Sequence, residues 1–257
     1  MKEGGVLLLR RYDGVSDKFH KAIRDHQVKS LPILDFKYIN VEQLKCAMES
    51  ISTISGIIFT SKRAVDALFT VSCEKMISSV SKLIDDGNFH IFCVGHGTAQ
   101  HVHNLFAWKS LGAQSGKATT LARYITDVKN ELIIDKPLLF LSGNLAFNTL
   151  VEMLSKNGIR LERLDCYETF KNQTFDAEFQ LYLECYANPR VIVFFSPSGC
   201  SFFFEDQSRR AISETCKIIA IGQTTKSCLE NLDITVHLTL NEPTPECLSE
   251  AINEIFH

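Results

Sequence analysis

The stretch that decides the fold is Cys216-Lys217-Ile218-Ile219-Ala220-Ile221-Gly222-Gln223-Thr224-Thr225, followed by Lys226-Ser227-Cys228-Leu229. Its apolar run predicts a buried strand, and the residues after the Gly-Gln-Thr-Thr turn have the spacing of a helix. A helix that begins directly after such a turn leaves its first backbone N–H groups unpaired, and here two threonine hydroxyls lie beside them. These groups can bind an anion without any lysine or arginine.

Four further stretches repeat this pattern of an apolar run, small polar residues and then a helical spacing. They are residues 57–63, 92–98, 138–144 and 191–199. Repeated strand–turn–helix units predict an α/β architecture with parallel sheets, and in such sheets ligands bind beyond the carboxyl ends of the strands.

Two extended segments divide the chain. Residues 31–38 and 160–170 bracket a block of alternating helices and strands that is complete in itself. We therefore expect one domain to be inserted into another. The discontinuous α/β domain comprises residues 1–34 and 171–257, the inserted α/β domain comprises residues 38–165, and the connectors lie near residues 35–37 and 166–170.

Local signals predict individual elements. Ser16 is expected to cap the first helix, a helix is expected over residues 146–157, and residues 234–238 are expected to form a short strand. In the segment Pro243-Thr244-Pro245, Thr244 is expected to cap the last helix and Pro245 to lie in its first turn.

The composition is that of an ordinary globular protein. Of the 257 residues, 45% are hydrophobic and 22% charged, and the formal net charge is −3. Lysine and arginine are dispersed, so no basic stripe indicates a nucleic-acid partner. No apolar run is long enough for a signal peptide or a membrane span, and we therefore expect a cytoplasmic protein without a membrane partner.

The nine cysteines are an odd number, and none forms a C-x-x-C pair. Several lie in apolar runs, which favours buried free thiols in a reducing compartment over disulfides or a zinc site. His101 and His103 are two positions apart on a predicted helix and point to different faces, so we expect no metal site. Cys166 has no paired histidine, which favours a buried strand thiol over a nucleophile.

A series of short segments, in order along nearly the whole chain, carries a family resemblance. They are Leu7-Leu8-Leu9-Arg10, Ile58-Phe59-Thr60-Ser61 with Arg63-Ala64-Val65, Val94-Gly95 with Thr98-Ala99, Ser142-Gly143-Asn144-Leu145, Gly158-Ile159 running to Tyr167-Glu168-Thr169, Phe194-Phe195-Ser196-Pro197-Ser198-Gly199, Ala220-Ile221-Gly222-Gln223-Thr224-Thr225 and Pro243-Thr244-Pro245. Together they resemble uroporphyrinogen-III synthase, an enzyme family of haem and other tetrapyrrole synthesis.

The resemblance implies a fold and an activity. The implied fold has two flavodoxin-like α/β domains with parallel sheets, joined by a two-stranded β ladder. The implied enzyme is a monomeric, cofactor-free lyase that converts linear hydroxymethylbilane to cyclic uroporphyrinogen III and releases water. Loss of the hydroxyl group gives an azafulvene, and a spiro intermediate then recloses with the last pyrrole ring inverted. The protein's task is positioning and charge placement more than strong acid or base catalysis.

The resemblance also implies the site residues. Tyr167 matches the family tyrosine proposed to help the hydroxyl group leave, because a neutral phenol can donate a hydrogen bond or a proton. The polycarboxylate substrate would be bound by hydroxyls and backbone groups at helix N-termini, together with basic residues at strand or helix ends. The substrate-binding residues are Arg10, Ser61, Arg63, Thr98, Ser142, Gly143, Ser196, Ser198, Gly199, Lys217, Thr224 and Thr225.

Each of these residues also has a purely structural interpretation. A serine or threonine at a helix start is commonly a helix cap, and as a set facing one cleft these hydroxyls instead indicate a carboxylate-binding rim. Tyr167 could pack as an aromatic between the domains. Arg10, Arg63 and Lys217 could be solvated surface residues.

Two departures from the family pattern affect the predicted site. Relatives often have lysine or arginine after Gly143-Asn144-Leu145, where this chain has Ala146-Phe147, so one carboxylate contact is absent or supplied elsewhere. Relatives often have proline after the Thr-Ser pair, where this chain has Lys62, which could itself reach an acidic side arm.

Two other functions compete with the enzyme. The same fold and rim would serve a non-catalytic two-domain sensor or binding module for a polycarboxylate. A phosphate-ester enzyme is less favoured, because the chain has neither a Walker-type loop nor a complete G-x-G-x-x-G turn.

Overall fold

Ten strands in the described part of the chain form two five-stranded sheets in the computed structural model, which describes residues 4–242 and 244–256. The strands are β1 (Val6–Leu9), β2 (Val28–Ser30), β3 (Leu34–Tyr38), β4 (Gly56–Phe59), β5 (His90–Cys93), β6 (Leu138–Gly143), β7 (Leu161–Lys171), β8 (Val191–Phe194), β9 (Lys217–Ile221) and β10 (Leu238–Leu240). Pro243 of the predicted Pro-Thr-Pro segment and residues 1–3 and 257 of the predicted first domain lie outside the described residues.

Helices connect most of these strands. They are α1 (Lys18–Ala22), α2 (Val41–Glu49), α3 (Lys62–Val71), α4 (Glu74–Asp85), α5 (His96–Phe106), α6 (Ala118–Val128), α7 (Thr149–Lys156), α8 (Phe175–Cys185), α9 (Pro197–Phe203), α10 (Arg209–Thr215), α11 (Gln223–Asn231) and α12 (Pro245–Phe256). None of the helices in the described residues is both long enough and apolar enough to span a membrane.

The chain divides into two compact units. The terminal unit comprises Met1–Asp35 and Phe170–His257, and the central unit comprises Phe36–Thr169. The two boundaries fall in β3 and β7, and the predicted ranges of the domains and connectors stay predictions. The two-stranded ladder as the joint between the units stays a prediction from the resemblance.

The sheet of the terminal unit has the strand order β10-β9-β8-β1-β2, and every pair in it is parallel. Counted along this unit alone, the order is that of a flavodoxin-like sheet. The chain leaves β1 for β2 on one side and later returns to β8 on the other side. This reversal places the unit's topological switch point between β1 and β8, beyond whose carboxyl ends ligands commonly bind.

The sheet of the central unit has the order β3-β7-β6-β4-β5, in which β4 pairs in parallel with β5 and β6, and β6 pairs in parallel with β7. Its switch point therefore lies between β4 and β6. The predicted α/β class with two parallel-dominated sheets is confirmed.

The continuous apolar runs of the sequence form strands that are buried on both faces. In β1, Leu7 packs in a cluster with Ile192 and Ile218, whereas its neighbour Leu8 packs on the other face with Val193 and Ile219. β4, β5 and β8 are likewise fully buried. Helices cover both faces of a parallel sheet, which is why these strands read as unbroken apolar runs without polar alternation.

Some predicted boundaries differ from the structure. Asp17, not Ser16, caps the first helix, because its carboxylate accepts hydrogen bonds from the N–H groups of Phe19 and His20. The helix predicted from residue 146 begins at Thr149. The last helix has the predicted cap, since the Cys247 N–H donates to Thr244 Oγ1 at 3.3 Å.

The strand predicted over residues 234–238 begins at Leu238, because a histidine side chain takes part in the preceding pairing. The Ile218 N–H donates to His237 Nδ1 at 3.1 Å, and the His237 N–H donates to the Ile218 carbonyl at 2.9 Å. Burial, and secondarily the charge of Lys217, lowers the pKa of His237. The folded protein therefore favours the neutral imidazole, whose unprotonated Nδ1 accepts the hydrogen bond from the Ile218 N–H of β9.

This bond predicts a pH dependence of stability. Below about pH 6.5, the ordinary histidine value, the unfolded chain takes up a proton that folded His237 binds less readily, so the free energy of unfolding should fall. Above that pH, the contribution of His237 is fully present. In His237→Asn, the amide oxygen can accept the same hydrogen bond without titrating. The free energy of unfolding, measured by urea denaturation at about pH 7.5 and about pH 5.5, should therefore change less between the two pH values than in the wild-type protein. Burial also lowers the pKa of His20, but His20 is present in both proteins and contributes equally to both. An equal change in the free energy of unfolding in the two proteins would therefore contradict the role of His237.

Candidate active site

Tyr167 lies at the carboxyl edge of the central unit's sheet and reaches the end of β4. The Ser61 hydroxyl donates a hydrogen bond to Tyr167 Oη at 3.0 Å. Ser61 is also the N-cap of α3, where its Oγ accepts from the Ala64 N–H at 3.3 Å. Because Ser61 donates to it, the phenol oxygen acts as an acceptor here and its own proton is left for another partner.

Gly143 makes the position of the Tyr167 ring possible. A Cβ added at Gly143 would lie 2.5 Å from both Cε2 and Cζ of Tyr167, and 2.9 Å from its hydroxyl oxygen. Such distances are well inside van der Waals contact, so the ring occupies the space that any other side chain would need. Tyr167 thus crosses the end of β6 to reach β4, over the switch point of this sheet.

An irregularity in β7 aligns Tyr167 with Gly143. Ser142 pairs with Asp165, but the next residue, Gly143, pairs with Tyr167, so Cys166 is an extra residue in β7. A bulge of this kind redirects a side chain locally and is common beside active sites. Cys166 itself is fully buried, and burial raises the pKa of its thiol to about 12. It is a free strand thiol, not an activated nucleophile.

The turn after β6 is fixed to β7 by two polar side chains. The Asn144 amide pairs with the backbone of Thr169, accepting from its N–H at 2.9 Å and donating to its carbonyl at 3.3 Å. The Arg163 guanidinium donates to the carbonyls of Gly143 and Ala146 and to Asn148 Oδ1. Arg163 is not among the predicted site residues, since one arginine in an alternating strand gives no signal of its long-range partners.

Several described helices begin without a side-chain cap, and in two of them, α5 and α11, a glycine directly precedes the helix. Gly95 precedes α5 with φ 83° and ψ 149°, and Gly222 precedes α11 with φ 85° and ψ 153°. Neither helix has an acidic residue in its first turn. The first N–H groups of both helices are therefore left to water or to an anion, beside the positive end of the helix dipole.

The predicted threonines lie in these two first turns. Thr98 of α5 and Thr225 of α11 occupy the same position, three residues after the glycine, and both are buried. Thr224 is exposed. Thr224 is therefore the member of this group whose hydroxyl is accessible to a ligand.

Two of the predicted serines, Ser61 and Ser196, are helix caps. Ser196 Oγ accepts from the Gly199 N–H at 3.2 Å and lies 3.3 Å from Ser198 Oγ at the start of α9. Gly199 is closely packed, since an added Cβ would lie 3.3 Å from Ser196 Oγ and 3.4 Å from Ile33 Cγ2. Ser61 and Ser196 thus cap the helices that follow β4 and β8, as their purely structural interpretation anticipated.

Two predicted cations have intramolecular partners. Arg10 follows β1 and forms ion pairs with Asp13 at 2.6 Å and with the buried Asp17 at 2.7 Å. Although burial opposes it, hydrogen bonds from the backbone of Asp13 and His20 and the Arg10 charge lower the pKa of Asp17. The Arg63 guanidinium lies 4.8 Å from the ring centre of Phe36.

Lys62 is a cation at the carboxyl edge of the central unit. It is exposed in the first turn of α3, and its side chain reaches α5, since a Cβ added at Gly97 would lie 3.4 Å from Lys62 Cε. Contact of Lys62 with an acidic side arm of a substrate stays a prediction.

Besides Thr98 and Thr225, whose side chains are buried, two further predicted residues offer no accessible group at the carboxyl edge of their sheet. Ser142 is fully buried, and its hydroxyl donates to Asp165 Oδ1 at 2.5 Å. Lys217 is the first residue of β9, so it lies at the amino edge of the sheet, opposite the edge at which Thr224 follows the same strand. Both departures have one cause. The type of a residue and its sequence neighbours do not specify how deeply its side chain is buried or at which end of a strand it lies.

No group of three histidine, cysteine or acidic side chains that could hold a metal ion occurs among residues 4–242 and 244–256. His101, one of the residues weighed as a ligand, instead contacts Asp66 Oδ1 through Nε2 at 2.6 Å. All nine cysteines lie in the described ranges and are free thiols.

Comparison with known proteins shows to which family and to which relatives the chain is similar. A family model described as uroporphyrinogen-III synthase HemD matches residues 17–250. The uroporphyrinogen-III synthase of Saccharomyces cerevisiae is 26% identical over 271 residues, covering 98% of this chain and 96% of that protein. The one of Schizosaccharomyces pombe is 26% identical over 245 residues, covering 94% and 91%.

Two solved structures share the fold. A mutant uroporphyrinogen III synthase from the extremely thermophilic bacterium Thermus thermophilus aligns with a TM-score of 0.65 at 13% identity, covering 98% of both chains. The uroporphyrinogen-III synthetase of Helicobacter pylori aligns with a TM-score of 0.65 at 18% identity, covering 98% of this chain and all of that one.

The contact between Gly143 and Tyr167 predicts a specific steric cost. Gly143→Ala should lower the free energy of unfolding by about 1–3 kcal/mol, because the added methyl group must displace the tyrosine ring. In a Tyr167→Ala background, Gly143→Ala should lower the free energy of unfolding much less. Urea denaturation of the wild-type protein, the two single variants and the double variant gives the coupling energy between the two positions directly. Gly97→Ala is the matched control, since its methyl group would meet only the flexible Lys62 side chain. Equal costs of Gly143→Ala in both backgrounds would show that the contact is not the constraint.

Proposed function

The chain belongs to the uroporphyrinogen-III synthase family, and we propose that it cyclises linear hydroxymethylbilane to uroporphyrinogen III with inversion of the last pyrrole ring. The reaction releases water, which makes the enzyme a cyclising lyase of tetrapyrrole biosynthesis. The observation that carries the proposal is the position of Tyr167, whose phenol lies over the switch point of the central unit and accepts a hydrogen bond from Ser61.

Tyr167 is suited to the first chemical step. The substrate's hydroxyl group must leave as water while an azafulvene forms, so the departing oxygen needs a hydrogen-bond or proton donor. With Ser61 donating to its oxygen, the phenol keeps its own proton for this role. The packing against Gly143 and the bond to Ser61 fix the ring, so little reorganisation is needed when charge develops.

The uncapped helix starts are suited to the substrate's carboxylates. The first N–H groups of α5 and α11 offer hydrogen bonds and a favourable dipole, each worth on the order of 1 kcal/mol. Thr224 and Ser198 add hydroxyls in the terminal unit, and Lys62 and Arg63 add cations in the central unit. Binding of this kind needs no net positive charge, which agrees with a chain of formal charge −3.

Several finer points belong to the same proposal. The reaction uses no metal or cofactor, because leaving-group assistance and positioning are sufficient for it. We place the enzyme in the cytoplasm, since exposed free thiols such as Cys46, Cys73 and Cys185 suit a reducing compartment. Action as a monomer stays an expectation from the resemblance. A non-catalytic binding module is not favoured, because the matched relatives are named as synthases.

The product isomer tests the proposal. Hydroxymethylbilane is generated in place, the purified protein is added, and the oxidised products are separated into isomers I and III. We expect mainly isomer III from the wild-type protein. Isomer I alone, from a sample whose circular dichroism shows it to be folded, would exclude the synthase activity.

Tyr167→Phe tests the catalytic assignment in the same assay. The variant keeps the ring over Gly143 but removes the donor, so the rate of isomer III formation should fall about tenfold to a hundredfold without reaching zero. Tyr124→Phe, a half-buried tyrosine of α6 in the same unit, is the matched control and should retain the wild-type rate. Unchanged turnover in Tyr167→Phe would restrict the phenol to a structural role.

A further inference from the structure

Two large apolar side chains are exposed on the turn after β6. Leu145 is 48% exposed and Phe147 is 77% exposed, whereas Ala146 between them packs into the core beneath the turn. An exposed phenylalanine contributes little to folding, and apolar side chains grouped at a surface commonly mark a place of contact with a ligand.

The turn that carries these side chains is held firmly. Arg163 donates to the Ala146 carbonyl at 3.2 Å and to Asn148 Oδ1 at 2.7 Å, one contact on each side of Phe147. The Ala146 N–H also donates to the Gly143 carbonyl at 3.0 Å, which closes the turn. A ligand that contacts Phe147 therefore meets a backbone already fixed in place, with a small entropic cost of binding.

The same turn begins beside Tyr167, the residue proposed to assist the departing hydroxyl group. The Asn144 N–H donates to the Tyr167 carbonyl at 3.2 Å, and Gly143, against which the phenol ring packs, is the residue before it. Leu145 and Phe147 therefore lie on the segment that leads directly away from the position assigned to the departing hydroxyl group.

We propose that Leu145 and Phe147 form an apolar platform for the face of a pyrrole ring of the substrate, an assignment that rests on the proposed function. A linear tetrapyrrole has two kinds of surface, flat aromatic ring faces and carboxylates on the ring edges. Helix N-termini and cations bind the carboxylates but leave the ring faces without a partner. An exposed aromatic side chain on the turn whose backbone bonds to Tyr167 supplies that partner by stacking or edge-to-face contact. The platform thus orients a ring relative to the phenol.

Steady-state kinetics on the full-length protein test the platform. Phe147→Ser should raise KM for hydroxymethylbilane about five- to tenfold, with kcat within about twofold of wild type, because a ring contact is lost and Tyr167 is retained. Phe147→Trp, which keeps an aromatic face, should retain a KM within about twofold of the wild-type value. An unchanged KM in Phe147→Ser, or a loss in kcat alone, would overturn the assignment.

Ile133→Ser is the matched control. Ile133 is 75% exposed and precedes β6, so it tests the loss of an exposed apolar side chain at the opposite end of the same strand. We expect this variant to keep the wild-type KM, and an equal rise in its KM would overturn the assignment by making the effect nonspecific. Thermal denaturation of both variants should show the folded state retained.

A binding measurement separates the platform from the proposed reaction. Uroporphyrin III, a stable oxidised tetrapyrrole, is titrated with protein and followed by its own fluorescence, which requires no turnover. Phe147→Ser should bind this probe about five- to tenfold more weakly than the wild-type protein. If the wild-type protein forms no isomer III but this difference persists, the reaction fails and the platform stands. Equal affinities of the two proteins overturn the platform whatever the isomer assay shows.

Discussion

The hydrogen bond between Ser61 and Tyr167 depends on the missing side chain of Gly143. The tyrosine belongs to β7 and the serine follows β4, so the ring must cross the end of β6, which lies between them. Only glycine leaves that space, because a Cβ there would lie 2.5 Å from the ring. The bulge at Cys166 supplies the matching shift in β7. The glycine in β6 and the extra residue in β7 together place the phenol of Tyr167 at the switch point.

Two arginines near the carboxyl edges of the sheets are paired within the protein, whereas two helix starts remain uncapped. Arg10 is paired with two aspartates, and Arg163 is bonded to Asp165 and to backbone carbonyls of the turn after β6. These arginines hold the loops at the carboxyl edges of their sheets in place. The helices that begin at Gly95 and Gly222 instead leave backbone N–H groups open. A dipole needs no counter-charge, so anion binding is compatible with a slightly acidic chain.

The sequence predicts this architecture well because its signals are local. Buried parallel strands require unbroken apolar runs, and turns before helices require glycine, serine or threonine, so Ile218–Ile221 with Gly222 specifies both an element and its end. The order of the short segments along the family pattern then selected Tyr167 and Ser61 as candidate site residues. The burial of a side chain and the end of the strand at which it lies depend on residues distant in sequence. This is why the sequence predicted Ser142 and Lys217 as rim residues. The pairing of Arg10 with Asp17 and the bulge at Cys166 depend on backbone geometry that no spacing reveals.

The chemistry explains why such rigidity is useful. By the family's reaction, the substrate can close without help to the unrearranged isomer, so the enzyme's contribution is to direct one ring during the lifetime of a reactive azafulvene. A strong acid would hasten loss of water without directing the ring. In the proposed reaction, a phenol fixed by Gly143 and Ser61, beside a turn fixed by Arg163 and Asn144, would provide modest acid assistance together with a defined geometry. Positioning of this kind lowers the barrier of the directed closure relative to the spontaneous one, because its ordering cost is met when the protein folds and when the substrate binds.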